Sequence, residues 1–117
     1  VVGHYPIFSN GTYKYETSTL ELRSLLFPIF KKYNVAMYIS GHDHNSQHIP
    51  FTDNNYTLHN IICGNTSYTN IFTNNKNNSR DFFYNKQNTY LTLDSNNYGM
   101  LLTINDMKGI IYKLAIK

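Results

Sequence analysis

Residues 35–45 read VAMYISGHDHN, an apolar run that ends at Gly41 in a polar turn with two histidines. The run from Val35 to Ser40 is short and apolar, which predicts a buried strand. Gly41 lets the backbone bend where a side chain would obstruct it, so that His42 and His44 can direct their imidazoles to neighbouring positions. The turn follows the carboxyl end of the strand, where open α/β sheets usually bind ligands.

The start of the chain repeats this pattern. Val1-Val2-Gly3 has the character of the end of a buried strand, and His4 follows it directly. Because the carboxyl ends of adjacent parallel strands meet at one edge of a sheet, we expect His4, His42 and His44 to converge on one site. Three histidines alone would suffice for a mononuclear zinc site.

A helix is predicted between these two segments. Pro6 and the Asn10-Gly11 pair mark a loop up to Thr17. Ser18 and Glu21 match a capping box, and Asn34 is a plausible end of the helix. Pro28 is expected to kink or break the helix. The residues at the spacing of one helical face are Leu22, Leu25, Leu26, Ile29, Phe30 and Tyr33. Strand, loop, helix and strand together outline an α/β unit.

The remaining segments are predicted to be mostly strands. Leu58–Cys63 has a strand pattern, and residues 65–89 are interpreted as an Asn-rich surface loop or insertion. Three further strands are predicted at Tyr90–Leu93, Gly99–Ile104 and Ile110–Ile116. We expect these three to form an antiparallel edge of the same sheet.

Composition excludes several classes of function. The net charge is +3 and the lysines are scattered, which gives little support to nucleic acid binding. Cys63 is the only cysteine, so no disulfide forms within the chain. No stretch approaches the ~20 apolar residues that cross a bilayer, so we expect no transmembrane segment in this chain. A length of 117 residues suits one domain or part of one.

Two motifs resemble those of a known enzyme family. The segments Val2–Ile7 and Gly41–Asn45 resemble the two C-terminal motifs of the purple acid phosphatases of the tartrate-resistant type, which are calcineurin-like metallophosphoesterases. The intervening helix, including Pro28, is also similar, and the resemblance is specific from Val1 to about Gln47. It implies an α/β fold, the C-terminal portion of a four-layer αββα sandwich with a mixed β-sheet. Residues 1–117 would then be the C-terminal part of a single domain whose N-terminal half is absent.

The resemblance also implies a site with two metal ions. His4 and His42 would hold Fe(II), Zn or Mn, and His44 would hold Fe(III). Such a pair orients a phosphate ester and supplies hydroxide. The implied activity is hydrolysis of phosphate monoesters, on small substrates or phosphoproteins. It would require the N-terminal half of the same protein, which holds the remaining ligands and the catalytic residues. Family members enter the secretory pathway, so an extracellular or lysosome-like or vacuole-like location is expected.

The sequence also leads to expectations for other polar residues near the motifs. The mammalian enzymes carry a substrate-side histidine where this chain has Tyr13, and tyrosine does not titrate in the same range. Asp43 is expected to point away from its flanking histidines and to form hydrogen bonds within the turn. Asn45 is expected to orient His44. The other two histidines, His48 and His59, lie outside the motifs and are interpreted as polar surface groups.

Two alternatives to a phosphatase remain open. Apicomplexan glideosome-associated proteins resemble the same fold used as a non-catalytic membrane anchor and scaffold. That type is expected to lose histidines from the later motif and to continue into a membrane helix, so the presence of His42 and His44 favours the enzyme. The second alternative is a phosphodiesterase of the same superfamily, which the residues present do not distinguish.

Overall fold

The computed structural model describes residues 1–65, 81–86 and 88–117. The elements are a 3₁₀ turn at Thr12–Tyr15, the helix α1 at Thr17–Lys32, and the strands β1 Met37–Ser40, β2 Ser46–Asp53, β3 Tyr56–Cys63, β4 Phe82–Tyr84, β5 Tyr90–Asn96, β6 Gly99–Asp106 and β7 Gly109–Ile116.

The strands form two sheets. The first has the order β1-β3-β2-β4, with β1 parallel to β3 and the other pairs antiparallel, so it is mixed as predicted. The second is an antiparallel sheet of β5, β6 and β7. The last three strands therefore form a separate sheet and not an edge of the first one, which corrects the prediction.

The two sheets pack face to face because the inward side chains of both are apolar. Leu102 and Ile104 of β6 pack with Met37 of β1 and Ile61 of β3, and all four are buried. The other face of the first sheet packs against α1 through Phe30, Tyr38 and Leu58. The chain thus contributes three layers, in the order helix, mixed sheet and antiparallel sheet, and the mixed sheet in the middle is covered on both faces.

Helix α1 differs in part from the predicted apolar face. Leu22, Leu26 and Phe30 pack against the first sheet, whereas Leu25 and Tyr33 are 66% and 69% exposed. Ile29 is exposed as well. The helix packs on the first sheet with one side only, so the rest of the predicted face stays exposed.

Both ends of α1 are set locally. The helix begins at Thr17 after Glu16, and no side chain caps it, so the predicted capping box of Ser18 and Glu21 does not form. Pro28 lies inside a helix that continues to Lys32. Asn34 ends the helix as predicted, with a left-handed φ of 50°. The amides of Asn34 and Val35 donate to the carbonyls of Lys31 and Phe30, which is the pattern of a Schellman motif.

Strand β2 was not predicted from the sequence. Its residues include Ser46, Gln47 and Pro50, which favour loops when considered alone. Pairing with β3 along its whole length makes it a strand. The two strands are joined by a hairpin loop at Asn54-Asn55, where Asn54 has a left-handed φ of 55°.

The predicted loop at residues 65–89 is partly a strand. Phe82–Tyr84 forms β4 and pairs with β2. Asn65 and Asp81, which the surface-loop interpretation would expose, are buried. The prediction for residues 66–80 and 87 lies outside the described residues.

Within the part of the chain that the structure describes, no helix combines the length and the apolar character needed to cross a membrane.

Candidate functional site

The first residues of the chain run parallel beside β1, as predicted. Gly3 N donates to the Ile39 carbonyl at 2.9 Å, and Ile39 N donates to the Val1 carbonyl at 3.0 Å. Gly41 N donates to the His4 carbonyl at 3.1 Å. The two loops that carry the predicted histidines therefore start side by side.

His4 and His42 meet at this edge. Their ring centroids are 5.2 Å apart and the rings are edge to face. His42 also contacts two tyrosines, with ring centroids 4.3 Å from both Tyr5 and Tyr13. The sequence indicated the histidine pair but not this aromatic surround, because only the tertiary fold brings the loop of Tyr13 over His42.

The backbone of His42 is in an unusual conformation. Its φ is 61°, in the left-handed region that costs a residue with a side chain about 1 kcal/mol. Nε2 of His42 is buried and has no hydrogen-bond partner among the described residues. A carboxylate oxygen of Glu16 lies 4.0 Å from it. A buried imidazole nitrogen without a hydrogen bond has the chemistry of a metal ligand.

The fit of a metal ion to these residues is partial. Two imidazoles side by side suit two ligands of one Zn or Fe ion. Within the described residues, however, no three or more side chains of His, Cys, Asp or Glu are grouped closely enough to hold a metal. The expected convergence of His4, His42 and His44 is thus met for His4 and His42 and does not extend to a three-ligand cluster. His44 is half-buried. Its role as a ligand of a second ion remains a prediction.

Asp43 lies inside the turn, as predicted, and is fully buried. Oδ2 accepts a hydrogen bond from Ser9 Oγ at 2.5 Å, and Oδ1 accepts one from Asn45 Nδ2 at 2.7 Å. Gln47 Nε2 lies 3.4 Å from Oδ2. Burial raises the pKa of the Asp43 carboxyl, and these hydrogen bonds, with one from the backbone of Tyr13, oppose the rise. Asp43 therefore ties the loop after His4 to the turn of His42 and His44.

Asn45 takes part in this network through its side chain. It donates to Asp43 and accepts from Gln47 Nε2 at 2.5 Å. The predicted role of orienting His44 stays a prediction, because the hydrogen bonds of the Asn45 side chain described here are made to Asp43 and Gln47.

Gly64 allows the end of β3 to approach this turn. A Cβ atom at Gly64 would lie 2.3 Å from the backbone oxygen of Asp43, which is a severe overlap. We therefore expect Gly64→Ala to displace the turn and to lower the free energy of unfolding by about 2 kcal/mol. Urea unfolding followed by tyrosine fluorescence measures this, since the chain has 11 tyrosines and no tryptophan. Equal stability of Gly64→Ala and the wild type would contradict the prediction.

The other two histidines are not surface groups, which corrects the prediction. His48 is 3% exposed, and its Nδ1 lies 2.5 Å from the Tyr112 hydroxyl. Its Nε2 lies 2.9 Å from Nδ1 of His59. Burial, and to a smaller extent the neighbouring His59, lower the pKa of His48 to about 4. Burial also lowers the pKa of His59. No local pattern indicated this cluster, because His48 lies on β2, the strand that was not predicted.

Comparison with known proteins gives whole-chain similarity to one protein and partial similarity to two. The chain is 33% identical over 121 residues to Glideosome-associated protein 50 of Plasmodium falciparum (isolate 3D7), which covers all of this chain and 28% of that protein. It is 40% identical over 55 residues to Purple acid phosphatase 3 of Arabidopsis thaliana and 47% identical over 49 residues to Purple acid phosphatase 4. These two matches cover 47% and 42% of this chain and 14% of each phosphatase. No family model matches the chain.

The fold matches a solved structure described as GAP50, the anchor in the inner membrane complex of Plasmodium. The TM-score is 0.79 with 28% sequence identity, and the match covers 99% of this chain and 36% of that one. The chain spans about a quarter to a third of the length of these whole-chain relatives. The predicted α/β fold class is confirmed by this match. The resemblance to purple acid phosphatases is confirmed in part, as short regions of similarity in a chain whose full length resembles GAP50.

Proposed function

We propose that this chain is part of a scaffold protein with a phosphatase-like fold, which acts by binding other proteins and not by hydrolysing phosphate esters. The observation that carries the proposal is the extent of the similarity. The glideosome-associated protein matches all of the chain in sequence and nearly all of it in structure, whereas each purple acid phosphatase matches less than half. The relative is described as an anchor in a membrane complex, and we place this chain in a complex of a similar kind.

The surroundings of His42 support this proposal. Tyr13 occupies the position where the resemblance places a substrate-side histidine, and its ring packs 4.3 Å from that of His42. A phenol ordinarily titrates near pH ~10, so it is a poor proton donor to a leaving group at the acidic pH at which a histidine would serve. The ring of Tyr13 thus lies against His42 in place of the histidine that would assist an ester substrate.

A second candidate is the metal-dependent phosphomonoester hydrolase expected from the sequence motifs. The specific observation in its favour is the pair of His4 and His42 with the buried Nε2 of His42. In this case His4 and His42 would hold a divalent ion and His44 a ferric ion. The metal pair would orient the ester and supply hydroxide when bound. The other ligands would have to come from residues outside these 117. The secretory location expected from the family stays a prediction.

One experiment separates the two candidates. Full-length protein is loaded with iron and with zinc or manganese, its metal content is measured, and hydrolysis of p-nitrophenyl phosphate is followed. We expect no turnover above that of a His42→Ala/His44→Ala variant. We also expect both proteins to elute from native cell extracts in the same complex, heavier than the monomer. Tyr98→Ala replaces a side chain that is 90% exposed, so it is a folded control variant that undergoes the same purification and metal loading.

The opposite result would favour the hydrolase. If two metal ions are bound and the double variant loses activity by about 100-fold or more, the site is catalytic. A monomeric elution of the wild-type protein would contradict the scaffold function directly.

A further inference from the structure

Four segments of the chain match the acceptor motif for N-linked carbohydrate, Asn-x-Ser or Asn-x-Thr with x other than proline. They begin at Asn10, Asn55, Asn65 and Asn77. In a chain this rich in asparagine such matches arise easily by chance, so the sequence does not separate true acceptors from accidental ones. The fold does separate them, because the carbohydrate is joined to the side-chain Nδ2 and requires that atom to face solvent. Asn77 lies outside the described residues.

Burial excludes Asn10 and Asn65 as acceptors. Asn10 is 1% exposed, and its Nδ2 donates to Asp81 Oδ2 at 2.7 Å. Asn65 is fully buried, and its Nδ2 donates to the Lys86 carbonyl. A carbohydrate on either nitrogen would have to occupy space that the protein fills, and the amide would lose its hydrogen bond. The folded chain therefore has no room for a modification at either residue.

Asn55 is placed differently. It lies in the two-residue turn between β2 and β3, and it is exposed in the described part of the chain. The Nδ2 of Asn54, its neighbour in the turn, donates to Asp53 Oδ1 at 3.0 Å. The Nδ2 of Asn55 has no hydrogen-bond partner among the residues that the structure describes. The tip of a hairpin is a place at which a bulky polar group can be attached without displacing the core.

The two residues after Asn55 complete the motif in a suitable arrangement. Side chains alternate along a strand, so Tyr56 and Thr57 point to opposite sides of β3. Tyr56 is 7% exposed and donates from its hydroxyl to the Val35 carbonyl at 2.7 Å, which fixes this alternation. The Thr57 hydroxyl lies 3.0 Å from the Thr52 hydroxyl on the exposed part of the hairpin. The acceptor amide and the hydroxyl that the motif requires are therefore both accessible from solvent.

Asn55 also lies far from the candidate metal centre. Strands β1 and β3 are parallel; His42 follows the carboxyl end of β1, whereas Asn55 precedes the amino end of β3. The eight residues of β3 separate these two ends by on the order of 25 Å. A carbohydrate at Asn55 would therefore leave the site of His4 and His42 open.

We propose that Asn55 carries N-linked carbohydrate and that Asn10 and Asn65 do not. In the transfer, Asn55 Nδ2 forms a bond to the anomeric carbon of an oligosaccharide that is carried on a polyisoprenyl diphosphate. The bond from that carbon to the diphosphate oxygen breaks, and the diphosphate leaves with the electron pair. The amide proton passes to a carboxylate base of the transferring enzyme. The proposal requires that the protein enter the secretory pathway, and it is independent of the scaffold function.

The test maps the modification in full-length protein produced in cultured mammalian cells. Peptide-N-glycosidase F releases the carbohydrate and leaves aspartate in place of asparagine, so that mass spectrometry of peptides identifies the modified position. We expect carbohydrate at Asn55 and unmodified amides at Asn10 and Asn65. Thr57→Ala should lose the carbohydrate at position 55, whereas Thr57→Ser keeps the hydroxyl and should retain it. Thr52→Ala removes the neighbouring hydroxyl without changing the motif, and it should also retain the carbohydrate.

Three results would overturn the proposal, with folding of each protein checked by circular dichroism. They are a folded wild type in which Asn55 is unmodified, carbohydrate at position 55 that persists in Thr57→Ala, and folded protein with carbohydrate at Asn10 or Asn65. A protein that stays in the cytosol would give the first of these results. The His42→Ala/His44→Ala variant should be modified as the wild type is. Metal-dependent turnover by the wild type would count against the scaffold function and would leave the result at Asn55 unchanged.

Discussion

Replacing Asp43 by alanine is expected to lower the free energy of unfolding by about 4 kcal/mol. The carboxylate is fully buried and accepts hydrogen bonds from Ser9, Asn45 and the backbone of Tyr13, with Gln47 nearby. Alanine would leave these donors without an acceptor in a place that water does not reach. An unsatisfied buried donor costs ~1–3 kcal/mol, and some of the donors can find new partners.

Urea unfolding of the full-length protein followed by circular dichroism would measure this loss. Asp43→Asn keeps one acceptor oxygen but places an amide donor opposite other donors. We therefore expect the free energy of unfolding to fall by an intermediate amount, about 2 kcal/mol. Asp94→Ala, at an exposed position of β5, removes a carboxylate without burial and should change stability by less than about 0.5 kcal/mol. If Asp43→Ala and Asp94→Ala proved equally stable, Asp43 would not hold the two loops together.

Acid is expected to destabilise the protein through the histidines between the two sheets. The pKa of His48 is lowered from 6.5 to about 4. Below pH 6.5 an unfolded chain takes up a proton at this residue, and the folded protein does not until about pH 4. The unfolded state therefore binds more protons in this window, and stability falls as the pH falls from about 6.5 to 4. At about 1.4 kcal/mol per pKa unit, the loss from His48 reaches about 3 kcal/mol. His59, whose pKa is also lowered, adds to it in the same direction.

Urea unfolding at several pH values between 7 and 4 tests this dependence against two variants. His48→Gln/His59→Gln cannot be protonated and should show a much flatter stability profile in this range. Tyr112→Phe keeps the burial of His48 and loses only the hydrogen bond at 2.5 Å. It should therefore be about 1 kcal/mol less stable at pH 7 and retain the slope of the wild type. A double variant that loses stability with acid as steeply as the wild type would show that other groups cause the effect.

The presence of His42 and His44 does not decide between scaffold and enzyme. The sequence motif predicts a metal-binding turn, and the pairing of His4 with His42 is compatible with it. The turn also has a structural role, because Asp43 and Gly64 pack beneath it. The proposed scaffold function therefore rests on the extent of the similarity, which covers all of the chain for the glideosome-associated protein and less than half of it for each phosphatase.

Local sequence determined the elements whose physical cause is local. The apolar run before Gly41 predicted β1, Asn34 predicted the end of α1, and the repeated pattern of strand followed by histidine predicted that His4 and His42 would be neighbours. These features depend on turn chemistry, strand propensity and the geometry of adjacent parallel strands, which a sequence expresses directly.

Tertiary structure alone decided the rest. Strand β2 has a polar sequence and becomes a strand only because β3 pairs with it, and that pairing buries His48 against Tyr112. Apolar and polar residues alternate along the last three strands, and this alternation is the same whether the strands extend the first sheet or pack on its face. The contact of Leu102 and Ile104 with the first sheet makes these strands a second layer. The packing of Tyr13 on His42 and that of Arg23 on Phe8 each join residues from separate segments. No local pattern encodes such contacts, because they exist only after the sheets and the helix have come together.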